Sequence, residues 1–272
     1  MRNCVGRLDR TNAPAEPIAV FTVYRCTDVE VQNCIAIDSD QDAYYSYAEM
    51  DGGFQTPATG GDGDRVNFNY CIALNLHIGA LATSGNSGGV ARDVVFNNSV
   101  FWNCTKPDGA DNMIRGLRTQ IKNCTFGSAA RINNAYIVSY DGIGCNNDTT
   151  NNNTIFYNIT TRSGAAEPYV LNDVEFSNYN SLYGNTNNYT NNTVAWVQDR
   201  ININPFYSAS TNPTGALKYI TRIENSSNLS GIGSSGADIG ANIKTLIGIS
   251  GTLFGETGYN TDTGTSKAFI LK

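Results

Sequence analysis

Three groups of residues combine types and spacing that could do chemistry. Asp38-Ser39-Asp40-Gln41-Asp42 alternates carboxylates so that several oxygens can face one hard cation, as calcium requires. Asp62-Gly63-Asp64 forms a second acidic loop nearby. No glycine and distal glutamate complete an EF-hand around Asp38, Asp40 and Asp42, so a solvated acidic loop is the alternative to a calcium site. Tyr44, Tyr45 and Tyr47 follow at once and could stack on sugar rings; alternatively they cover the flank of the fold. Asp111 and Arg115, with Arg118 close by, put a carboxylate beside guanidinium groups that could move a proton if desolvated. His77 is the single histidine and is read as a surface or bend residue, which removes mechanisms built on paired histidines.

Composition limits the classes open to these groups. The chain has 272 residues, 15% charged, with a formal net charge of -6, and carries no basic footprint for nucleic acid. No segment approaches the ~20 consecutive apolar residues of a membrane span. Met1-Arg2-Asn3-Cys4 lacks the basic and apolar regions of a signal peptide. Asparagine is abundant beside 27 glycines and 15 tyrosines, a mixture poor for helices, while a hydrophobic content of 40% argues against a disordered chain. The seven cysteines follow no CxxC metal spacing.

A repeat supplies the elements that must position these residues. Asp28-Val29-Glu30-Val31-Gln32-Asn33-Cys34 aligns with Arg65–Cys71, Asp93–Ser99, Arg118–Cys124, Asp148–Thr154 and Asp173–Tyr179. The last positions fall 37, 28, 25, 30 and 25 residues apart, and Asn3-Cys4 fits as a worn first member. Val29/Val31, Val66/Phe68, Val94/Phe96 and Val174/Phe176 alternate with period two, the mark of one strand face turned inward. Ala36, Ala73, Phe101, Phe126, Phe156 and Ser181 continue that face beyond a bend. The column Asn33, Tyr70, Asn98, Asn123, Asn153, Asn178 predicts an amide ladder, since asparagine tolerates left-handed backbone and both donates and accepts. Cys34, Cys71, Ser99, Cys124, Thr154 and Tyr179 are read as buried core, with side chains pointing too nearly alike for disulfides. Cys4, Cys26, Cys104 and Cys145 lie outside that column and could pair. The column Asp28, Arg65, Asp93, Arg118, Asp148, Asp173 predicts an exposed ion-pair ladder.

A period of 25 to 37 residues with strand alternation and no helix pattern predicts an all-β parallel solenoid of about six to nine coils. Leucine-rich repeats lack support because their leucine consensus is missing, and a sandwich would not need an asparagine at one place in every repeat. The asparagine-marked repeats resemble the pectate-lyase-like superfamily of right-handed parallel β-helices. Asn204-Pro205-Phe206-Tyr207 and Gly236-Ala237-Asp238-Ile239-Gly240-Ala241 are similar to the closing coils of secreted bacterial parallel β-helix repeat proteins. The resemblance implies a β-helix over residues 1–243, a C-terminal tail or cap over 244–272, and an extracellular or cell-surface location.

It further implies binding or cleavage of polysaccharide, with calcium at Asp38, Asp40 and Asp42, and with Arg115 beside Asp111 acting on a calcium-bound uronate. Family members usually carry a cap before the first coil, and none precedes Cys4 here. Either the chain is truncated there, or residues 1–30 contact another subunit, as in a non-catalytic structural or adhesive solenoid assembling through its N-terminal coil.

Overall fold

A computed structural model of the chain describes residues 1–6, 19–24, 26–37, 42–47, 65–74, 80–83, 93–102, 114–115, 120–127, 130–131, 138–139, 150–161, 169–172, 176–185, 187–189, 198–201, 203, 221, 223 and 227–243. These are almost entirely short strands, bends and turns, and every strand pairing among them is parallel. Three large parallel sheets result, each receiving strands from successive repeats, beside a two-stranded parallel pair of Ala130–Arg131 with Thr160–Thr161, an all-β arrangement consistent with a parallel solenoid.

The six-stranded sheet contains Val29–Gln32, Val66–Asn69, Val95–Asn97, Gln120–Lys122, Thr150–Asn152 and Phe176–Asn178. The eight-stranded sheet runs from Val5–Gly6 through Ile35–Ile37, Ile72–Leu74, Val100–Trp102, Thr125–Gly127, Ile155–Tyr157 and Ser181–Tyr183 to Arg200–Ile201. The seven-stranded sheet holds Ala19–Tyr24, Asp42–Tyr47, Ala80–Thr83, Ile114–Arg115, Val138–Ser139, Tyr169–Asn172 and Asn187–Tyr189.

The corner between the first two sheets explains the asparagines. Asn3, Asn33, Tyr70, Asn98, Asn123, Asn153 and Tyr179 all adopt positive φ, between 48° and 55°. Asparagine tolerates that region better than other residues with a Cβ, and a single such residue turns the strand sharply. A second left-handed corner precedes the six-stranded sheet at Asp28, Arg65 and Asp93, with φ of 55° to 58°.

The last aligned repeat needs a correction. Asn152 pairs with Asn178, so the corner residue is Tyr179 rather than Asn178, and the residue after it is Asn180 rather than Tyr179. Phe176 stands beside Thr150, in the outward column, while Ser177 takes the place beside Asn151 that alternation assigned to Phe176. Likewise Leu182, not Ser181, follows Phe156. A slip of one residue exchanges the two faces of a strand, so Phe176 does not fall in the column of Val31, Phe68 and Phe96; Val174 lies outside the described residues.

Inward residues form one contiguous core, with Phe68 stacked on Phe96 at 5.0 Å, Phe101 on Phe126 at 4.7 Å and Phe126 on Phe156 at 5.2 Å. Each such pair adds about 0.5–1.5 kcal/mol beyond burial of its area. The central strands of the eight-stranded sheet are buried on both faces. Ile35-Ala36-Ile37, Ile72-Ala73-Leu74 and Val100-Phe101-Trp102 are therefore continuous apolar runs.

Its outer face is covered by Ile223, Leu229, Ile239, Ala241 and Ile243. Residues 227–243 thus add no strand to the three sheets and lie across the flank of the stack, where closing coils were expected. Backbone amides of Gly240 and Ala241 donate to the Asn153 carbonyl at 2.7 Å and to Thr125 Oγ1 at 2.9 Å. Asp238 Oδ1 ties the covering turn together, accepting from Ser230 Oγ and the Gly231 amide at 2.9 Å each. Ile239 enters the apolar cluster, and Gly240, at φ 102°, passes Ile155 so closely that a Cβ would collide with it. Residues 244–272 lie outside the described residues.

Candidate functional site

Asp38, Asp40, Asp62, Asp64, His77, Asp111 and Arg118 lie outside the described residues. Asp42 opens the strand Asp42–Tyr47, in register with Ala19. Along that strand Tyr44 shares a column with Phe21, which is buried, and with Ala80 and Ile114. Tyr45 belongs to the alternate column with Thr22, Leu81, Arg115 and Ser139, and Tyr47 aligns with Tyr24 and Thr83. Strand alternation therefore separates Tyr44 from Tyr45 and Tyr47, and it gathers Tyr45 and Arg115 into one column two strands apart, roughly 10 Å.

The outward face of the six-stranded sheet carries polar groups that belong to none of the candidate motifs. One column reads Gln32, Asn69, Asn97, Lys122, Asn152 and Asn178, and the other Glu30, Asn67, Val95, Gln120, Thr150 and Phe176. Five of the first six side chains end in an amide, and parallel register repeats them at about 4.8 Å. The sequence signal was available, since a polar residue stands immediately before the corner position in every repeat. At one end of this face Arg2 Nη2 donates to Glu30 Oε2 at 2.9 Å, and Asn69 Nδ2 donates to Glu30 Oε1 at 3.4 Å. The Arg2 guanidinium holds the Glu30 carboxyl below its usual range, partly opposed by desolvation.

The corner amides bond along the stack by a less regular route than one straight column. Asn153 Nδ2 donates to Asn123 Oδ1 at 3.1 Å, within the column, whereas Asn123 Nδ2 steps across to Asn97 Oδ1 at 3.1 Å. Asn33 Oδ1 is buried and has no hydrogen-bond partner among the described residues, because Tyr70 stands where the next amide would donate.

A second polar ladder runs through the residues read as inert core. Ser99 Oγ accepts from the Cys71 amide at 3.1 Å and donates to the Asn97 carbonyl at 3.0 Å. Thr154 Oγ1 accepts from the Cys124 amide at 3.5 Å, and Asn180 Oδ1 accepts from the Thr154 amide at 3.0 Å. Cys124 Sγ donates to the carbonyls of Lys122 at 3.3 Å and Phe96 at 3.4 Å. At Cys71, Cys124 and Thr154 the left-handed corner turns the following amide out of the strand ladder, and Ser99, Thr154 and Asn180 of the next repeat supply its acceptor. Small size is thus half of the reason for cysteine, serine and threonine here; hydrogen bonding is the other half.

Among the described residues, Cys4, Cys26, Cys34, Cys71 and Cys124 form no disulfide. Burial pushes the Cys124 thiol up to about 12 and raises that of Cys34 as well. Such thiols do not serve as nucleophiles near neutral pH. The charged column is present as an exposed pair: Arg65 Nε donates to Asp28 Oδ1 at 2.7 Å and Nη2 to Oδ2 at 2.9 Å. That hydrogen-bonded guanidinium lowers the Asp28 pKa. Arg118, Asp148 and Asp173 of the same column lie outside the described residues.

Beside the covering segment, Trp102 reaches across Gly127 to stack on Tyr157 at 5.9 Å, and Tyr157 stacks on Tyr183 at 5.8 Å. Burial, reinforced by Tyr183, raises the Tyr157 pKa. Among the described residues no group of three or more His, Cys, Asp or Glu side chains could hold a metal, and no helix is long and apolar enough to cross a membrane. Comparison with protein-family models, curated proteins and solved structures returned no match.

Proposed function

We propose that the chain is a right-handed parallel β-helix of the pectate-lyase-like kind. It works outside the cell or at its surface and binds polysaccharide along the outward face of the six-stranded sheet. One observation supports this reading above the others: the in-register amides of Gln32, Asn69, Asn97, Asn152 and Asn178. Side-chain amides donate and accept together, which suits sugar hydroxyls, and their even spacing suits a ligand that repeats along its length. Cleavage extends the same reading, with calcium at Asp38, Asp40 and Asp42, proton transfer by Arg115 beside Asp111, and sugar stacking on Tyr44, Tyr45 and Tyr47.

The test is retention on a panel of immobilised neutral and acidic polysaccharides. A variant carrying Gln32→Ala with Asn69→Ala is compared with one carrying Tyr45→Ala with Tyr47→Ala. Loss of retention in the amide variant alone supports the six-stranded face. Loss in the tyrosine variant alone moves binding to the seven-stranded sheet and overturns it, and no retention by the parent protein overturns polysaccharide binding. Absorbance of unsaturated products, with and without a calcium chelator, reads cleavage separately.

A further inference from the structure

The interior of the stack changes character along its length. Pairing the inward residue of each six-stranded-sheet strand with that of the following eight-stranded-sheet strand gives Phe96 with Phe101, then Ile121 with Phe126, then Asn151 with Phe156. Asn151 is fully buried, 0% exposed, and neither its Oδ1 nor its Nδ2 has a hydrogen-bond partner among the described residues. Its neighbour along the core on one side is Ile121, which offers no polar atom, and on the other its register partner is Ser177. Thr154 and Asn180, also fully buried, are already committed: Thr154 Oγ1 donates to the Asn152 carbonyl at 3.0 Å, and Asn180 Oδ1 accepts from the Thr154 amide at 3.0 Å.

An asparagine in place of the phenylalanine and isoleucine of earlier repeats fills less of the interior and carries donors and an acceptor that protein groups leave unmet. A carboxamide sealed in an apolar interior without partners is costly. Buried polar groups left over in this way are the usual hosts of internal water, which bonds about three polar partners.

We propose that Asn151 marks a buried hydration site inside the stack, where one or more ordered waters bond its amide. The ligand is water because no charged side chain accompanies Asn151 in this column and because each end of the amide asks for an uncharged partner that both donates and accepts. The site sets a hydrated pocket at Asn151 against the dry apolar core that runs through Phe68, Phe96, Phe101, Phe126 and Phe156.

Two measurements on the full chain test it. A crystal structure fine enough to place waters is expected to show density within hydrogen-bond distance of Asn151 Oδ1 or Nδ2. Dry surroundings, or an amide bonded only to protein, overturn the proposal. Asn151→Leu, which displaces water and supplies no polar group, is expected to lower Tm by a few degrees, whereas an orphaned dry amide predicts a rise on the same substitution. Should Asn151→Leu not fold, Asn151→Ser, which keeps a hydroxyl for the water, is expected to fold with a Tm near the parent value. A Ser variant markedly more stable than the parent also overturns the proposal.

Discussion

Replacing Tyr70 by asparagine and by alanine isolates the amide ladder from every other property of the corner. Tyr70 holds φ at 55° and leaves Asn33 Oδ1 buried without a donor. Both substitutions remove the same ring, which packs partly buried against the outer apolar cluster, so its loss cancels between them. Alanine keeps the left-handed cost, about 1–2 kcal/mol for an ordinary residue, which asparagine lessens through local hydrogen bonding. Asparagine also supplies a donor to Asn33, as Asn153 does for Asn123 at 3.1 Å, removing an orphan that costs about 1–3 kcal/mol. Tyr70→Asn should therefore be more stable than Tyr70→Ala by about 2 kcal/mol, or roughly 4–8 °C in Tm.

The assay is denaturant and thermal unfolding of both variants in the parent and in an Asn33→Gly background. Glycine keeps the corner geometry and removes the acceptor. The asparagine–alanine gap should shrink by about 1–2 kcal/mol there, which is the coupling between the two positions. An identical gap in both backgrounds would refute the ladder and leave only backbone preference.

Other consequences are as direct. Gly127→Ala places a methyl group against the Trp102 ring, and should cost about 1–3 kcal/mol while red-shifting Trp102 emission in a Trp196→Phe background. Gly240→Ala collides with Ile155 at a φ of 102° and should release residues 227–243 from the sheet, read as faster proteolysis within that segment while the far-UV spectrum keeps its strand signal. Cys124, whose thiol burial holds protonated up to about 12, retains in the folded state a proton that the unfolded chain surrenders near ~8.5. Its contribution is complete below ~8.5 and declines as pH rises toward 12, so Cys124→Ser should flatten part of the alkaline loss of stability in pH-resolved unfolding. A thiol reagent at neutral pH should label exposed Cys26 at once and reach Cys124 only with unfolding.

The parallel all-β arrangement was legible because each repeat had to turn a left-handed corner and bury alternate residues. Asn33, Asn98, Asn123 and Asn153 announced the first requirement, and Val31, Phe68 and Phe96 the second. The slip at Asn178 was not legible. Val174 and Phe176 imitate the alternation, and only pairing of Asn152 with Asn178 shows that a tyrosine makes that corner. The cysteine column was recognised as buried but not as hydrogen-bonding, since the need for an acceptor arises at the corner of a neighbouring repeat. The covering segment was read as closing coils from the resemblance of Gly236–Ala241 to such coils, yet Gly240 and Ala241 bond Asn153 and Thr125, which lie far away in sequence. Of the candidate site, register places Tyr45 in the same column as Arg115, whereas the amide face went unnoticed because no single motif carries it.

The covering segment also bears on how the chain assembles. Stacked repeats contact only their neighbours, so they can form in any order and tolerate duplication or loss of a unit. Ser234 and Ala241, however, bond Asn153 and Thr125 across separations of 81 and 116 residues. During synthesis the outer apolar face of Ile155 and its neighbours must wait uncovered until residue 243 has emerged. The clasp also limits how repeat number can change, since deleting the unit that contains Thr125 would leave this segment with nothing in register to grip.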